Sequence, residues 1–274
     1  MASQRNKTIL VSQEDFEAYE DTDSIICGDL IEKIDAIENG SVDLLLTDPP
    51  YNLSKNFGAV KFNQTSSKEY KAFTDKWLEA VLPKLKDNAS IYICCDWRCS
   101  SEIKASLEEH GLYILNRITW KREKGRGSKM NWKNCSEDIW FAVKNPKDYY
   151  FDVSSVMIKK EVVAPYRDEN GMAKDWFSEN GKKYRYTYPS NIWFDIVVPF
   201  WSMPENTEHP TQKPEGLFKR LIAASCPENG MILDPFLGSG TTVVCAKALN
   251  RNAIGIEKDK RWCAVALKRM RTVV

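Results

Sequence analysis

The chain has 274 residues, enough for one large domain or for one domain with an inserted segment. Hydrophobic residues make up 43% and charged residues 28% of it, close to globular averages, which excludes a largely disordered or fibrous chain. The formal net charge of +1 means that attraction to nucleic acid must come from a local basic patch. No apolar run approaches the length of a membrane helix, and the start, MASQRNK, lacks the apolar stretch of a signal peptide. We therefore expect a cytoplasmic protein without membrane contact.

Cysteine and histidine usage argues against a metal centre. Eight cysteines are scattered along the chain without a CxxC pair, and His110 and His209 are the two histidines. A zinc site needs four suitably spaced ligands, so we expect no bound metal. In a chain of this kind, free thiols are also a better interpretation of the cysteines than disulfides.

Residues 1–23 are polar and acidic, and we expect them to form a flexible lead-in to a single domain at 24–274. Within the domain, short apolar runs alternate with apolar residues at helical spacing. The first part is predicted to hold a strand at 24–27, a helix at 30–37, a strand at 42–46, a loop at 52–66, a helix at 70–85, a strand at 90–94, a helix at 98–110, and strands at 112–120 and 138–143.

The stretch at 145–200 interrupts this alternation. It is rich in aromatic residues, and 182–188 alternates aromatic and polar residues as a strand does, so we interpret it as an insertion. Regular alternation resumes with a helix at 214–224, a strand at 231–233, a helix at 240–249, a strand at 253–256 and a helix at 260–270. Strands that alternate with helices predict an α/β fold with a mainly parallel sheet.

A glycine-containing turn, DPFLGSGTT at 234–242, joins the strand at 231–233 to the next helix. Doubly wound folds bind nucleotide-like cofactors at such turns, and Gly238 and Gly240 allow the backbone to approach a ligand closely. Glu257 ends the following strand, where a carboxylate can accept hydrogen bonds from both hydroxyls of a ribose. Together these features favour an adenosine-containing cofactor over an ordinary turn. No lysine follows the glycines, as one does in a P-loop.

Asp48, Pro49, Pro50 and Tyr51 close the buried strand at 42–46. Two consecutive prolines fix the backbone and remove two N–H donors, so the carbonyl groups there can only accept hydrogen bonds. A carboxylate precedes the prolines and an aromatic ring follows them. This arrangement suits a planar group that carries an amino function; the alternative is a rigid proline turn without a ligand.

Four segments in one order resemble the DNA amino-methyltransferases that use S-adenosylmethionine: TDPPYN at 47–52, HPTQKP at 209–214, DPFLGSGTT at 234–242 and GIE at 255–257. The acceptor motif precedes the cofactor motif, with the aromatic segment between them, which resembles the beta-class arrangement. The resemblance covers about residues 24–271. It implies a Rossmann-like methyltransferase fold with a mostly parallel twisted sheet, helices on both faces, a circularly permuted motif order and an inserted target-recognition region at 145–200.

By position, the resemblance implies S-adenosylmethionine as cofactor and assigns the residues that bind it. Asp29 is expected at the adenine, Glu257 at the ribose hydroxyls, and His209, Thr211 and Lys213 near the methionine carboxylate. The other residues expected to bind the cofactor are Asp48, Asp234, Phe236, Gly238, Ser239, Gly240 and Thr241.

The resemblance also implies the catalytic residues Asp48, Pro49, Pro50 and Tyr51. Oxygens of Asp48 and Pro49 would accept the hydrogens of an exocyclic amine, so that its lone pair points at the sulfonium methyl. The methyl group would move in one in-line displacement without a covalent enzyme intermediate. A base inside a duplex is out of reach, so the target would be flipped out and stacked on Tyr51.

Adenine N6 is the expected acceptor, because cytosine-N4 relatives more often carry serine in place of Asp48. Cytosine-N4 methylation, methylation of an RNA or protein amine, and a non-catalytic nucleic-acid-binding protein remain as alternatives. The expected partner is double-stranded DNA. The resemblance also suggests a homodimer and a cognate restriction endonuclease, which the sequence does not decide.

Basic residues cluster in TWKREKGRGSKMNWK at 119–133, which holds six basic residues and one acidic residue. A basic loop beside the active-site edge is suited to phosphate contacts, the alternative being an ordinary solvated loop. A second basic group lies in the aromatic insertion. The residues expected to contact DNA are Lys121, Arg122, Lys124, Arg126, Lys129, Lys133, Lys182, Lys183 and Arg185.

Overall fold

The computed structural model describes residues 9–57, 60–122, 127, 129–163 and 166–273. Their strands are β1 Ile25–Cys27, β2 Val42–Thr47, β3 Lys55–Phe57, β4 Val60–Phe62, β5 Leu85–Cys95, β6 Tyr113–Lys121, β7 Ser136–Val143, β8 Ile158–Glu161, β9 Phe177–Glu179, β10 Lys182–Thr187, β11 Ile192–Trp193, β12 Met231–Asp234 and β13 Asn252–Glu257. Their α-helices are α1 Gln13–Glu17, α2 Leu30–Lys33, α3 Ser67–Val81, α4 Ser100–Glu109, α5 Glu215–Ser225, α6 Thr241–Ala248 and α7 Lys260–Thr272.

Eight of these strands form one sheet in the order β1-β13-β12-β2-β5-β7-β6-β11. Neighbouring strands are parallel, except that β7 runs antiparallel to both β5 and β6. The register sets Leu44 opposite Ile232 and Leu45 opposite Leu233, so β2 and β12 end side by side. The predicted α/β fold with a mostly parallel sheet is confirmed.

Helices cover both faces of the sheet, because its central strands are apolar on both sides. In β2, Leu44 and Leu46 face the core formed with α5, α6 and α7, whereas Leu45 faces the core formed with α2, α3 and α4. All three leucines are fully buried. Each such side chain contributes about 1.5–3 kcal/mol to folding, so this strand is strongly held at the centre of the sheet.

The predicted elements of 24–144 are present with shifted bounds. β5 begins at Leu85 rather than at 90, because Leu85 pairs with Val42 of β2 before the register shifts. The helix predicted at 30–37 is α2 followed by a 3₁₀ turn, Ile34–Ala36. The loop predicted at 52–66 was wrong in part: it contains the hairpin of β3 and β4, whose short alternating segments are masked by polar neighbours.

The amino-terminal segment corrects another expectation. Residues 9–23, expected to be a flexible lead-in, contain α1, which packs against α7, and Ile9 forms a β-bridge with Thr207. Tyr19 is 5% exposed, and its hydroxyl donates a hydrogen bond to the carbonyl of Ile25 at 2.8 Å. The acidic composition of the segment gives no sign that Tyr19 is buried.

The inserted stretch forms a small sheet of its own. β10 lies between β8 and β9, and both pairings are antiparallel. β11, near the end of the stretch, instead pairs in parallel with β6 at the edge of the main sheet. The predicted interruption of the α/β pattern is therefore present, with its last strand returned to the main sheet. Among the described residues, no helix is both long and apolar enough to span a bilayer.

Substitution of Tyr19 by Ala tests whether the amino-terminal segment belongs to the folded domain. We expect the free energy of unfolding to fall by about 3 kcal/mol, because a buried aromatic ring and its hydrogen bond are lost. The measurement is urea denaturation followed by circular dichroism. Tyr188→Ala is the matched control, since that ring is 74% exposed. Equal, small effects of the two substitutions would instead support the expectation that the amino-terminal segment is a flexible lead-in.

Candidate active site

The carboxyl ends of β1, β13, β12 and β2 meet at one edge of the sheet because these strands are parallel. The chain leaves β12 toward one face and β2 toward the other, which opens a crevice between them. A cavity of about 450 Å³ lies there. The predicted residues that line it are Asp29, Asp48, Pro49, Pro50, Tyr51, His209, Thr211, Lys213, Asp234, Phe236, Gly238, Ser239, Thr241 and Glu257.

Asp234 fixes the glycine-containing turn from below. Its Oδ1 accepts hydrogen bonds from the Thr47 hydroxyl at 2.9 Å and the Phe236 amide at 3.1 Å, and its Oδ2 accepts one from the Thr242 hydroxyl. Burial raises the pKa of Asp234 to about 7, against the effect of these hydrogen bonds. The side chain therefore ties β12, β2 and α6 together beneath the cavity.

Gly240 holds the turn rather than lining the cavity. Its φ of +82° lies in the left-handed region, and a Cβ there would come within 2.4 Å of the Ala266 Cβ. On the neighbouring backbone, buried Arg269 donates to the Ser239 carbonyl at 2.9 Å and to the Thr241 hydroxyl at 3.1 Å. The start of α6 thus packs closely against α7, and hydrogen bonds from the buried Arg269 guanidinium stabilise it.

Two carboxylates at the ends of β13 and β1 border the cavity. Glu257 accepts hydrogen bonds from the amides of Gly238 and Asp259, both at 2.8 Å, and burial raises its pKa. A carboxylate has about four acceptor sites, so two remain for hydroxyl groups of a ligand. Asp29 caps α2 by accepting from the Ile31 amide at 3.0 Å, and its other oxygen pairs with Lys258.

His209 lies against the turn as a neutral ring. Its Nε2 is 3.2 Å from the place where a Cβ of Gly238 would be, and its ring packs edge-on to Trp262 with centroids 4.6 Å apart. Burial, together with the nearby charges of Lys213 and Arg269, lowers the pKa of His209 to about 3. The imidazole is therefore uncharged near neutral pH.

An aromatic wall that sequence reasoning missed closes one side of the cavity. Phe236 meets Trp77 edge-on with centroids 5.6 Å apart, and Phe73 lies 6.1 Å from Phe236. Both helical rings line the cavity. Their spacing in α3 indicated an amphipathic helix, but the sequence does not say that its apolar face reaches beyond the core.

The Pro-Pro turn is held by its neighbours. The Tyr70 hydroxyl donates to the Pro50 carbonyl at 3.0 Å. Asp48 places Oδ2 at 2.5 Å from the Lys213 ammonium, while its Oδ1 is buried without a hydrogen-bond partner among the described residues. Tyr51 accepts a hydrogen bond from Lys213 at 3.0 Å, and the ammonium lies 5.0 Å from the centroid of its ring.

This geometry places Lys213 differently from the expectation that it binds a cofactor carboxylate. Its ammonium contacts Asp48 Oδ2 and lies 3.3 Å from Glu137 Oε2. Burial lowers the pKa of Lys213, but these two carboxylates outweigh that effect and raise it above its ordinary value. Lys213 is therefore charged, and its ammonium binds Asp48 and Tyr51 of the acceptor motif.

Glu137, at the start of β7, was also missed. Its side chain is 2% exposed, and it accepts hydrogen bonds from the Arg122 guanidinium and, at 3.3 Å, from the Tyr51 hydroxyl. A buried acid at the amino end of an antiparallel strand is the one signal that could have identified it, because β7 starts at the edge where the parallel strands end.

The residues expected to contact DNA occupy two places. Arg122 lines the cavity and pairs with Glu137; Lys121 and Lys129 are exposed, Lys133 is half-buried, and Lys124 and Arg126 lie outside the described residues. In the small sheet, Lys182, Lys183 and Arg185 are exposed, with Lys182 pairing with Glu161 at 3.0 Å and Lys183 lying 5.2 Å from the Trp176 ring centroid.

The cavity offers hydrogen-bond acceptors and apolar walls. Among the described residues, the lysine at the acceptor motif, Lys213, is already paired with Asp48 and Glu137. Asp48, which lines the cavity, has one carboxylate oxygen without a donor among the described residues, and Glu257, which also lines it, retains acceptor capacity. Such a site can hold an adenosine-like group between carboxylate and aromatic ring and can orient the N–H bonds of a second, amino-bearing group.

Comparison with known proteins agrees with this arrangement. Residues 42–268 match the N6/N4 methyltransferase family model, described as DNA methylase. The chain is 35% identical over 247 residues to the type II methyltransferase M.HpaI of Haemophilus parainfluenzae, covering 90% of this chain and 73% of the relative. It is 32% identical to the type II methyltransferase M2.LlaDCHI of Lactococcus lactis subsp. cremoris, covering 92% and 91%. A solved M1.HpyAVI–SAM complex is similar with a TM-score of 0.59 and 26% identity, covering 90% of this chain and 98% of that one.

Gly240→Ala tests the turn that carries the candidate cofactor residues. The added methyl group collides with Ala266 in a left-handed conformation, so we expect the free energy of unfolding to fall by about 3 kcal/mol. Gly111→Ala is the control, since its φ is +73° and nothing lies near its Cβ; it should cost about 1 kcal/mol. Urea denaturation measures both. A loss at Gly240 no larger than at Gly111 would contradict the close helix contact.

Asp234→Asn tests the buried carboxyl through pH. The folded pKa is about 7 and the unfolded value near 3.8, so between them the folded chain keeps a proton that the unfolded chain has lost. The contribution of Asp234 to the free energy of unfolding therefore falls as pH rises from about 4 to about 7, and is level above. We expect the wild-type value minus that of D234N to fall by up to about 4 kcal/mol over this interval. Denaturation at each pH measures it, and a pH-independent difference would refute it.

Proposed function

The chain belongs to the N6/N4 DNA methylase family, and from that premise we propose that it transfers the methyl group of S-adenosylmethionine to N6 of adenine in double-stranded DNA. Two methyltransferases at 35% and 32% identity support the methyl-transfer activity. The similar M1.HpyAVI protein, solved as a complex with SAM, supports the cofactor. The aspartate of the acceptor motif, Asp48, supports adenine.

A single observation carries the proposal: Asp48 lines the cavity that the glycine-containing turn also borders, and its carboxylate oxygen Oδ1 is buried without a hydrogen-bond partner among the described residues. A buried acceptor without a donor is costly, and a group with an N–H bond satisfies it. The exocyclic amine of a base provides that bond. The acceptor and the cofactor-side residues share one cavity, so the amine and the methyl donor meet there.

The cavity fits the adenosyl group on its own features. Glu257 has acceptor sites left for ribose hydroxyls, and Phe236 with Trp77 presents an apolar wall to a planar ring. Gly238 adopts a φ of +54° and leaves space that a side chain would fill beside His209. Because His209 is neutral, it serves as a hydrogen-bonding ring rather than as a counter-ion for the methionine carboxylate.

Bound S-adenosylmethionine supplies a methyl group on a sulfonium centre, ready for direct displacement. Asp48 Oδ1 accepts one amino hydrogen, which turns the nitrogen lone pair toward the methyl carbon and stabilises the positive charge that develops on nitrogen. The nitrogen–carbon bond forms as the carbon–sulfur bond breaks, and the departing sulfur keeps the electron pair. The extra amino proton then leaves through Asp48. Positioning supplies much of the rate.

Tyr51 holds the target base after it leaves the duplex. The Lys213 ammonium lies over the Tyr51 ring, and the contacts of the hydroxyl with Lys213 and Glu137 fix its orientation. The flipped base stacks on the other face of this ring. The rigid Pro49-Pro50 turn keeps that ring in register with Asp48.

DNA approaches from the edge where the cavity opens. Lys121 ends β6, and Lys129 and Lys133 lie in the β6–β7 connection that begins with the cavity-lining Arg122; these lysines contact phosphates. Residues 145–200 form the target-recognition region. Their separate small sheet, built outside the main sheet, supports this role.

The proposal is tested with tritiated S-adenosylmethionine and bacterial genomic DNA that lacks methylation. After digestion to nucleosides, we expect the label in N6-methyladenine. Asp48→Asn removes the acceptor charge and should lower the single-turnover rate at least about 100-fold, the usual effect of losing one preorganised polar group. Asp87→Asn is the matched control, because that side chain is fully exposed.

The labelled nucleoside separates the alternatives. Label in N4-methylcytosine would keep amine methylation but refute adenine as the target. An unlabelled digest from a protein that binds the cofactor would refute DNA as the substrate, and an active D48N variant would refute the role of Asp48.

A further inference from the structure

Four charged side chains meet beneath the acceptor motif and form what we call the charge cluster: Asp48, Lys213, Glu137 and Arg122. The Lys213 ammonium lies 2.5 Å from Asp48 Oδ2 and 3.3 Å from Glu137 Oε2, and the Arg122 guanidinium pairs with Glu137 Oε1. Lys213 and Glu137 are 6% and 2% exposed. The members come from the end of β2, the segment before α5, the start of β7 and the end of β6, four separate parts of the chain.

The cluster contains two positive and two negative charges, so they balance. The charges of Lys213 and Glu137, the two deeply buried members, interact strongly because little water screens them. Without Glu137, two cations would stand behind a single carboxylate, and their field would oppose a positive charge on a nearby amine. With Glu137 present, its negative charge offsets the field of Lys213. Asp48 can then stabilise a positive charge on the amine without opposition from an unpaired lysine.

The geometry of Asp48 shows why this matters for the reaction. Its Oδ2 is occupied by Lys213, and its Oδ1 is the oxygen without a partner among the described residues. Lys213 thus fixes the carboxylate plane and leaves Oδ1 available as an acceptor. Glu137 in turn holds Lys213 through a second ion pair and accepts a hydrogen bond from the hydroxyl of Tyr51.

On these contacts, we propose that Glu137 is a positioning residue for methyl transfer, which holds Lys213 against Asp48 and offsets the lysine charge behind the acceptor oxygen. Glu137 itself lines the cavity, and we assign its effect on the reaction to Lys213 rather than to direct contact with the cofactor or the base. The inference rests on the methyl transfer proposed above. It replaces the expectation that Lys213 serves the methionine carboxylate.

The other titratable groups that face Lys213 do not alter this balance. Burial raises the pKa of Cys94 well above its ordinary value, and burial lowers that of His209 to about 3. Burial, followed by the charges of Asp48 and Glu137, likewise raises the pKa of Tyr51. All three groups are neutral near pH 7, so they add no charge beside Lys213.

The first arm of the test is a double-mutant cycle with Glu137→Gln, Lys213→Met and both together, using Glu108→Gln of an exposed pair as control. We expect E137Q to slow single-turnover methyl transfer on the order of 10- to 100-fold, less than loss of a direct contact. The dissociation constant for S-adenosylmethionine, from calorimetry, should change less than about threefold. E137Q/K213M should be no slower than K213M, because Glu137 acts through Lys213.

Two results in this arm would overturn the proposal. One is weaker cofactor binding that accounts for the slower reaction of E137Q. The other is a double variant in which the two losses multiply, as two independent residues would give. Should E137Q fail to unfold cooperatively, Glu137→Asp decides instead: it keeps the charge, and we expect it to retain more of the rate than E137Q/K213M does.

The second arm needs no DNA. In protein labelled with ¹³C at lysine Cε, the Lys213 signal is identified by its loss in K213M and followed against pH. We expect its titration midpoint to fall by about one unit or more in E137Q, since one of the two carboxylates that raise its pKa is gone. An unchanged midpoint would overturn the proposal. Failure of the wild-type chain to methylate DNA would instead contradict the proposed function, and this titration would still decide the cluster.

Discussion

The parallel pairing of β2 with β12 is the constraint on which the rest of the site depends. It joins segments 187 residues apart, and the Thr47 hydroxyl seals the junction by donating to Asp234 at 2.9 Å. Because both strands end at the same edge, Asp48 and the glycine-containing turn border one cavity. The order of the two motifs along the chain is then immaterial, since a circularly permuted chain reaches the same pairing.

Buried charges at this edge work in two groups with different purposes. Arg269, paired with Glu215 at 3.1 Å, donates into the turn before α6 and keeps the cofactor-side backbone in place. Lys213 and its carboxylates do the same for the acceptor side. An unpaired charge at either place would cost several kcal/mol, so each is matched within its own group rather than by solvent. The cavity therefore has rigid polar walls before any ligand enters.

The sequence predicts the site well where a residue's position depends on its own strand. Asp234 and Glu257 each end a parallel strand and Asp48 directly follows one, and the fold alone brings such ends together. Sequence reasoning fails where a role depends on a distant partner. Glu137 acquires its role from Lys213 and Arg122, neither of which a local pattern relates to it.

The fold shows the same division. The alternating strands and helices of the main sheet follow from local periodicity, whereas Tyr19 is buried because a carbonyl of β1 and the core beside α7 receive it. The acidic residues around it contain no sign of that burial. Likewise, the wall of Phe73 and Trp77 exists because the turn after β12 places Phe236 opposite α3, a tertiary contact without a local signature.

The basic residues fall into a buried set and an exposed set. The net charge of +1 does not reveal this difference. Lys213 is 6% exposed and pairs with Asp48 and Glu137 inside the protein, so its charge acts on its buried neighbours rather than on solvent. In contrast, Lys182 pairs with Glu161 at 3.0 Å with more than half of each side chain exposed. An exposed pair is worth about 0–1 kcal/mol, and a polyanion can replace its carboxylate at little cost. Pairing therefore does not disqualify the small sheet from binding phosphate, whereas burial does disqualify Lys213.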